Sequence, residues 1–124
     1  MTKTLIILLF PTLVYSQTKK EVWNYIKNSS IKQPKIVYAQ VMLETGHLKC
    51  VKCSREKNNY LGFYNGKKYL SWVEEWEDWT CSIDYYIGWQ IRKGYKGGDY
   101  YNFLLRKWGA PNMNEYIEKL KRIK

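Results

Sequence analysis

The chain of 124 residues carries 21 Lys and Arg against 11 Asp and Glu, a formal net charge of +10, with six Trp and twelve Tyr. That length holds one small domain and excludes two. The charge matches the surface to anionic polymers such as wall glycan with its peptide carboxylates, teichoic acid or acidic lipid, and in so small a domain many of the aromatics must form the core.

Met1-Thr2-Lys3 is a short positive start, Thr4 to Phe10 is almost wholly apolar, and Val14-Tyr15-Ser16 offers the residues a signal peptidase reads. The pattern predicts a secretory signal over residues 1–16, cut between Ser16 and Gln17, and an exported mature domain over residues 17–124. The apolar run is too short for a permanent anchor, and no later segment is apolar enough to span a bilayer. No cysteine follows it to take a lipid. Export also argues against nucleic acid as the partner.

Lys20 to Lys27 reads as a first short helix burying Val22, Tyr25 and Ile26. Pro34 to Thr45 reads as a second, with Pro34 in the first turn and Gly46 just past the end. Ile36, Val37, Val41 and Leu43 are its packing residues. Leu61-Gly62-Phe63-Tyr64 and Lys67-Lys68-Tyr69-Leu70 flank Asn65-Gly66, the pattern of a β-hairpin. Trp72, Trp76, Trp79, Ile83, Tyr86 and Gln90 then recur at spacings of four and three, one face of a longer helix. Asp99 can cap a helix from Tyr100 to Trp108, stopped at Gly109-Ala110-Pro111. Asn112 or Asn114 caps the last, whose apolar face is Tyr116, Ile117, Leu120 and Ile123. The expected fold class is α+β, mostly α. A membrane-active basic peptide fits poorly, because no strongly basic amphipathic segment dominates.

Glu44 is the residue that points to chemistry. It falls in the last turn of the second helix, at the negative pole where Lys or Arg would be the ordinary choice. A carboxylate there is disfavoured in its charged form, and partial burial adds to the effect. Both hold its proton near neutral pH, as a general acid requires.

Cys50, Cys53 and Cys81 are an odd number for an exported protein, so one disulfide and one free thiol are expected. Cys50 or Cys53 could pair with Cys81, and a Cys50–Cys53 bridge would close a very short loop. His47 with the three cysteines would also make a structural zinc set, which an oxidising compartment disfavours. No metal is therefore expected, and the acid chemistry expected of Glu44 calls for no cofactor.

Ala39-Gln40-Val41-Met42-Leu43-Glu44-Thr45-Gly46 resembles the helix motif of the glucosaminidases of glycoside hydrolase family 73, which include flagellar muramidase domains and many autolysins. Asn58-Asn59-Tyr60-Leu61-Gly62-Phe63 is similar to that family's Asn-Asn-Leu-Phe-Gly element, with Tyr60-Leu61 in place of Leu-Phe. The hairpin, Ser82-Ile83-Asp84-Tyr85 and the closing Asn114-Glu115-Tyr116-Ile117-Glu118-Lys119-Leu120 follow in the family's order, so the likeness runs from about Glu21 to Lys121. It implies a lysozyme-like domain, with a helical lobe and a small β-hairpin lobe around the glycan. The implied reaction is cleavage of the β-1,4 bond after N-acetylglucosamine in peptidoglycan by a monomer, with Glu44 as the general acid. It also implies Asn59 at the cleft floor, Tyr116 near the acid, and Phe63 and Tyr69 on the hairpin over the sugar. Strand alternation allows only one of Phe63 and Tyr64 to face the cleft.

A second carboxylate is not marked by any motif. Glu74, Glu75, Glu77, Asp78 and Asp84 all follow the hairpin, and the substrate's own N-acetyl group can replace a protein nucleophile. A lytic transglycosylase or muramidase on the same scaffold and a non-catalytic wall-binding module are the rival expectations.

Overall fold

The computed structural model describes residues 17–50, 53, 55, 58–63 and 76–123. Within them the chain forms five helices, α1 (Lys19–Lys27), α2 (Pro34–Glu44), α3 (Thr80–Arg92), α4 (Tyr100–Lys107) and α5 (Met113–Arg122). Local chemistry accounts for most of the boundaries. Thr18 and Glu21 form a reciprocal capping box at α1. The Asp99 carboxylate accepts from the Asn102 amide at the start of α4, and the Asn112 side chain accepts from Glu115 at the start of α5.

Helix α2 is the central element, packed against α1 and α5. Val37, Ala39, Gln40, Val41 and Met42 are all buried on it, which is why it is apolar around most of its circumference. A fully buried Val such as Val37 contributes roughly 1.5–3 kcal/mol relative to an exposed one. Its end is closed by the hydrogen bonds of a Schellman motif: the His47 amide donates to Met42 O at 2.7 Å and the Gly46 amide to Leu43 O at 3.4 Å. Gly46 has φ +55, the left-handed geometry that this termination requires. Glu44 is therefore the last helical residue of α2.

Two expectations are corrected. The fold is not α+β among the described residues, which hold helices and no strand. Tyr64 to Leu70, the greater part of the expected hairpin, lies outside the described residues. Leu61 to Phe63, which are described, form a turn. The Asn59 side chain closes it in both directions, accepting from Phe63 N at 3.0 Å and donating to Phe63 O at 2.8 Å. Such local bonds compete with a strand ladder, and Gly62 at φ +68 breaks the extended run.

The aromatic helix starts later than its spacing suggests. It begins at Thr80, with Trp76 and Trp79 before it and Trp72 outside the described residues. The Asp78 carboxylate takes the Thr80 amide at 2.7 Å and the Thr80 hydroxyl at 2.6 Å, which sets the start. Trp79 instead stacks on Tyr60 and meets Tyr25 edge-on. Cys50 is bonded to Cys53 and Cys81 is free, so the short-loop bridge is the pairing present. With those two sulfurs joined, the zinc set has no thiolate pair. No helix among the described residues is long and apolar enough to cross a membrane. The expected signal over residues 1–16 lies outside the described residues.

Candidate active site

The end of α2, the turn at 59–63, one face of α3, the segment after α4 and the start of α5 converge on a cleft of about 680 Å3. Glu44 enters it from α2 beside Leu43, Phe63 and Gly62 come from the turn, and Tyr85 and Trp89 from α3. Trp108 supplies a further wall, with its ring 5.6 Å from Phe63 and stacked at 6.5 Å on Tyr116.

The Glu44 carboxylate is pressed against backbone. A Cβ on Gly62 would stand 2.7 Å from Oε2 and 3.3 Å from Cδ, so only glycine admits the carboxylate at this depth. On its other oxygen, Oε1, Glu44 accepts a long hydrogen bond of 3.5 Å from the Tyr116 hydroxyl. Burial pushes the Glu44 pKa from the usual 4.5 to about 7, and the Tyr116 bond works against that rise. Burial first, and the charge of Glu44 second, hold the Tyr116 phenol far above its ordinary range. Tyr116 is therefore a donor at any working pH.

Behind Tyr116 runs a buried chain of polar side chains. Gln40 donates from Nε2 to the Tyr116 hydroxyl at 3.2 Å and accepts on Oε1 from Tyr86 at 2.5 Å. The Tyr86 and Tyr100 hydroxyls are 2.5 Å apart, and Gln90 Nε2 donates to Tyr100 at 2.9 Å. The far end is anchored on main chain: Lys32 N donates to Gln90 Oε1 at 2.9 Å, and Gln90 Nε2 donates to Lys32 O at 2.7 Å. Those two backbone bonds fix which end of the Gln90 amide faces Tyr100. Tyr86 gives its proton to Gln40 Oε1, so in the Tyr86–Tyr100 contact, where either hydroxyl could be the donor, the proton is that of Tyr100; Gln40 in turn donates to Tyr116. Only the Glu44 carboxylate is left to take the Tyr116 proton. From Gln90 onward each link between side chains thus donates toward Glu44, while the second Gln90 bond goes back to Lys32 O. No buried side-chain polar atom among the described residues lacks a partner, as a network of this kind requires.

The expected site residues divide. Glu44, Phe63 and Tyr116 meet in the cleft. Asn59 is fully buried and does not line the cleft; its role is to close the turn that presents Gly62 and Phe63. Tyr69 lies outside the described residues, as do Glu74 and Glu75. Of the other carboxylates considered, Asp78 lies just before α3, and its hydrogen bonds from Thr80 hold it below the usual carboxylate range. Asp84 accepts from the Tyr25 hydroxyl at 2.7 Å, away from Glu44, beside a second groove lined by Glu21 and Trp79. Glu77 is exposed. Among the described residues, the second carboxylate that lines the cleft is Glu115, paired with Lys119 at 3.2 Å on the exposed face of α5. Gly62 and Glu115 belonged to motifs visible in the sequence. Their place beside Glu44 depends on tertiary packing, and so do the places of Trp108 and Arg92.

Among the described residues, no group of three or more His, Cys, Asp or Glu side chains is placed to hold a metal ion. The chain matches no family model, no curated protein and no solved structure. The chemistry of the site therefore rests on its own geometry.

Proposed function

We propose that the chain is an exported glycoside hydrolase that cleaves the β-1,4 bond after N-acetylglucosamine in peptidoglycan, with Glu44 as general acid and no cofactor. The observation that carries this reading is a partly buried carboxyl poised at about 7 in a cleft walled by Phe63, Tyr85, Trp89 and Trp108. Aromatic walls suit the flat apolar faces of pyranose rings. A carboxyl half-protonated at neutral pH suits proton donation to a departing sugar oxygen. The likeness of the Gln40–Gly46 and Asn58–Phe63 segments to glucosaminidase motifs gives the bond specificity. The basic surface suits a wall polymer.

In the proposed reaction the Glu44 hydroxyl gives its proton to the glycosidic oxygen as the bond from that oxygen to the anomeric carbon breaks. Water then adds to the anomeric carbon, and the proton it loses returns through solvent to the Glu44 carboxylate, restoring the acid. Tyr116 steadies the carboxylate left on Glu44, because its hydrogen bond strengthens as charge develops there.

Mass spectrometry of muropeptides released from purified sacculi tests the reading, with Glu44→Gln alongside. Fragments with N-acetylglucosamine at the reducing end, absent from the variant, are expected. Anhydromuramic ends would assign a lytic transglycosylase, and muramic acid at the reducing end a muramidase. No fragments from well-folded protein would leave a wall-binding module.

A further inference from the structure

Helix α3 contains a glycine that its own backbone does not need. Gly88 is helical, with none of the left-handed geometry that glycine alone tolerates, and alanine is the better helix former. What fills the missing side chain's place is the guanidinium of Arg92: a Cβ on Gly88 would stand 2.9 Å from Nη1 and 4.0 Å from Cζ. The same guanidinium lies over the Tyr85 ring, 4.8 Å from its centroid. Tyr85, Gly88 and Arg92 fall three and four residues apart and so share one stripe of the helix. Tyr85 and Arg92 both line the cleft that holds Glu44.

Arg92 is exposed, and its guanidinium lies between the Tyr85 ring and the space that a side chain at Gly88 would take, an arrangement that lowers the ordering cost of using it. Among the described residues no carboxylate lies within ion-pair distance of it; the ion pair present is Lys119 with Glu115. Lys93 lines the cleft beside Arg92, and Lys119 lines it from α5. The cleft therefore offers more cation than its own carboxylates use, with a guanidinium fork set in its wall.

We propose that Tyr85, Gly88 and Arg92 form a carboxylate-recognition subsite, so that the preferred substrate is a glycan bearing a carboxylate and not a neutral one. The glycan part of this assignment rests on the wall-hydrolase reading. The planar fork matches a carboxylate through two parallel N–H···O bonds. In wall glycan that group comes from one of two sources: the lactyl carboxylate of a peptide-free muramic sugar, or the free carboxylates of a peptide stem.

The test measures binding to mature Glu44→Gln protein, which prevents turnover, by calorimetry at low salt. Three ligands of equal sugar length are compared: a neutral chitin oligosaccharide, peptide-free wall glycan and peptide-bearing wall glycan. Adding Arg92→Gln is expected to weaken a carboxylate-bearing ligand about tenfold, the scale of one charge-assisted hydrogen bond, and to leave the chitin oligosaccharide within about twofold. The ligand that responds identifies the source of the carboxylate. Gly88→Ala keeps every charge but displaces the guanidinium. It is expected to weaken the same ligand while raising the melting temperature, a pairing that general damage to the fold cannot produce. Unchanged binding of both wall glycans by both variants overturns the subsite, as does an equal loss on the neutral ligand. Cleavage of wall glycan by the Glu44 protein, with Arg92→Gln indifferent, removes the subsite and leaves the hydrolase reading standing. A protein that binds none of the three removes both.

Discussion

Glu44→Gln should stabilise the protein, by an amount that grows with pH. The burial that raises Glu44 from 4.5 to about 7 is a cost of ionising it in the folded state, about 3 kcal/mol at 1.36 kcal/mol per tenfold change in proton affinity. Below pH 4.5 the carboxyl is protonated both folded and unfolded, and nothing is lost. Between 4.5 and 7 the unfolded chain releases its proton while the folded protein keeps it, so stability falls as pH rises. Above about 7 the folded protein ionises too, and the full cost is present. The glutamine amide has nearly the same shape and never ionises. The gap between variant and parent should therefore be smallest near pH 4 and largest near pH 8, where about 3 kcal/mol corresponds to on the order of 10 °C in Tm for a domain of this size. Thermal melts of both proteins at unit intervals across that range measure the gap directly, with no substrate involved. A gap that is constant with pH would refute the placement of Glu44 in a desolvated site, whatever the chain does.

Tyr116→Phe removes the bond that favours the Glu44 carboxylate, so a 13C titration of that carboxyl should show its pKa higher than in the parent. Tyr86→Phe, two links away, should move it the same way and also destabilise by about 1–3 kcal/mol, because Gln40 Oε1 loses its buried donor; an unmoved titration would uncouple the chain from Glu44. Gly62→Ala places a methyl against Glu44 Oε2 in a left-handed backbone. It should abolish wall cleavage and lower stability by about 1–2 kcal/mol from the backbone alone, and a variant with parental turnover would contradict the close approach. Peptide mapping without reduction should find Cys50 joined to Cys53 and one titratable thiol at Cys81; reducing so short a loop should cost about 2 kcal/mol or less.

What could be read from the sequence was whatever local chemistry decides. Pro34 and Gly46 bracket α2, and they place Glu44 in its last turn before any tertiary contact is known. Asp99 and Asn112 mark two more helix starts for the same reason. The failures come from the same kind of local bond where it was not anticipated. Asn59 ties a turn where alternating aromatics suggested a strand, and Asp78 starts a helix two turns later than the tryptophan spacing did. Membership of the cleft was harder still. Glu115 and Arg92 are ordinary charged helix residues in sequence, and nothing short of tertiary packing places them on the same cleft as Glu44.

The buried chain behind Glu44 explains why this packing has to be specific. Burial alone would favour the neutral acid, which can donate a proton but resists becoming the carboxylate that donation leaves behind. Tyr116 supplies the opposing tendency only while its proton points at Glu44. If Gln40 were reversed, its Oε1 would face Tyr116, and the phenol proton would turn toward Gln40 and away from the carboxylate. Tyr86 prevents that reversal by donating to Oε1, and with its own proton placed there it accepts from Tyr100. Tyr100 is committed in turn by Gln90, and Gln90 by two bonds to the backbone of Lys32. The backbone of Lys32, at the entry to α2, thus fixes the direction of a hydrogen-bond chain that ends on the last residue of the same helix. It does so through side chains of α3, α4 and α5 together with Gln40 of α2 itself, so the proton affinity of Glu44 is a property of the assembled core and not of the α2 motif alone.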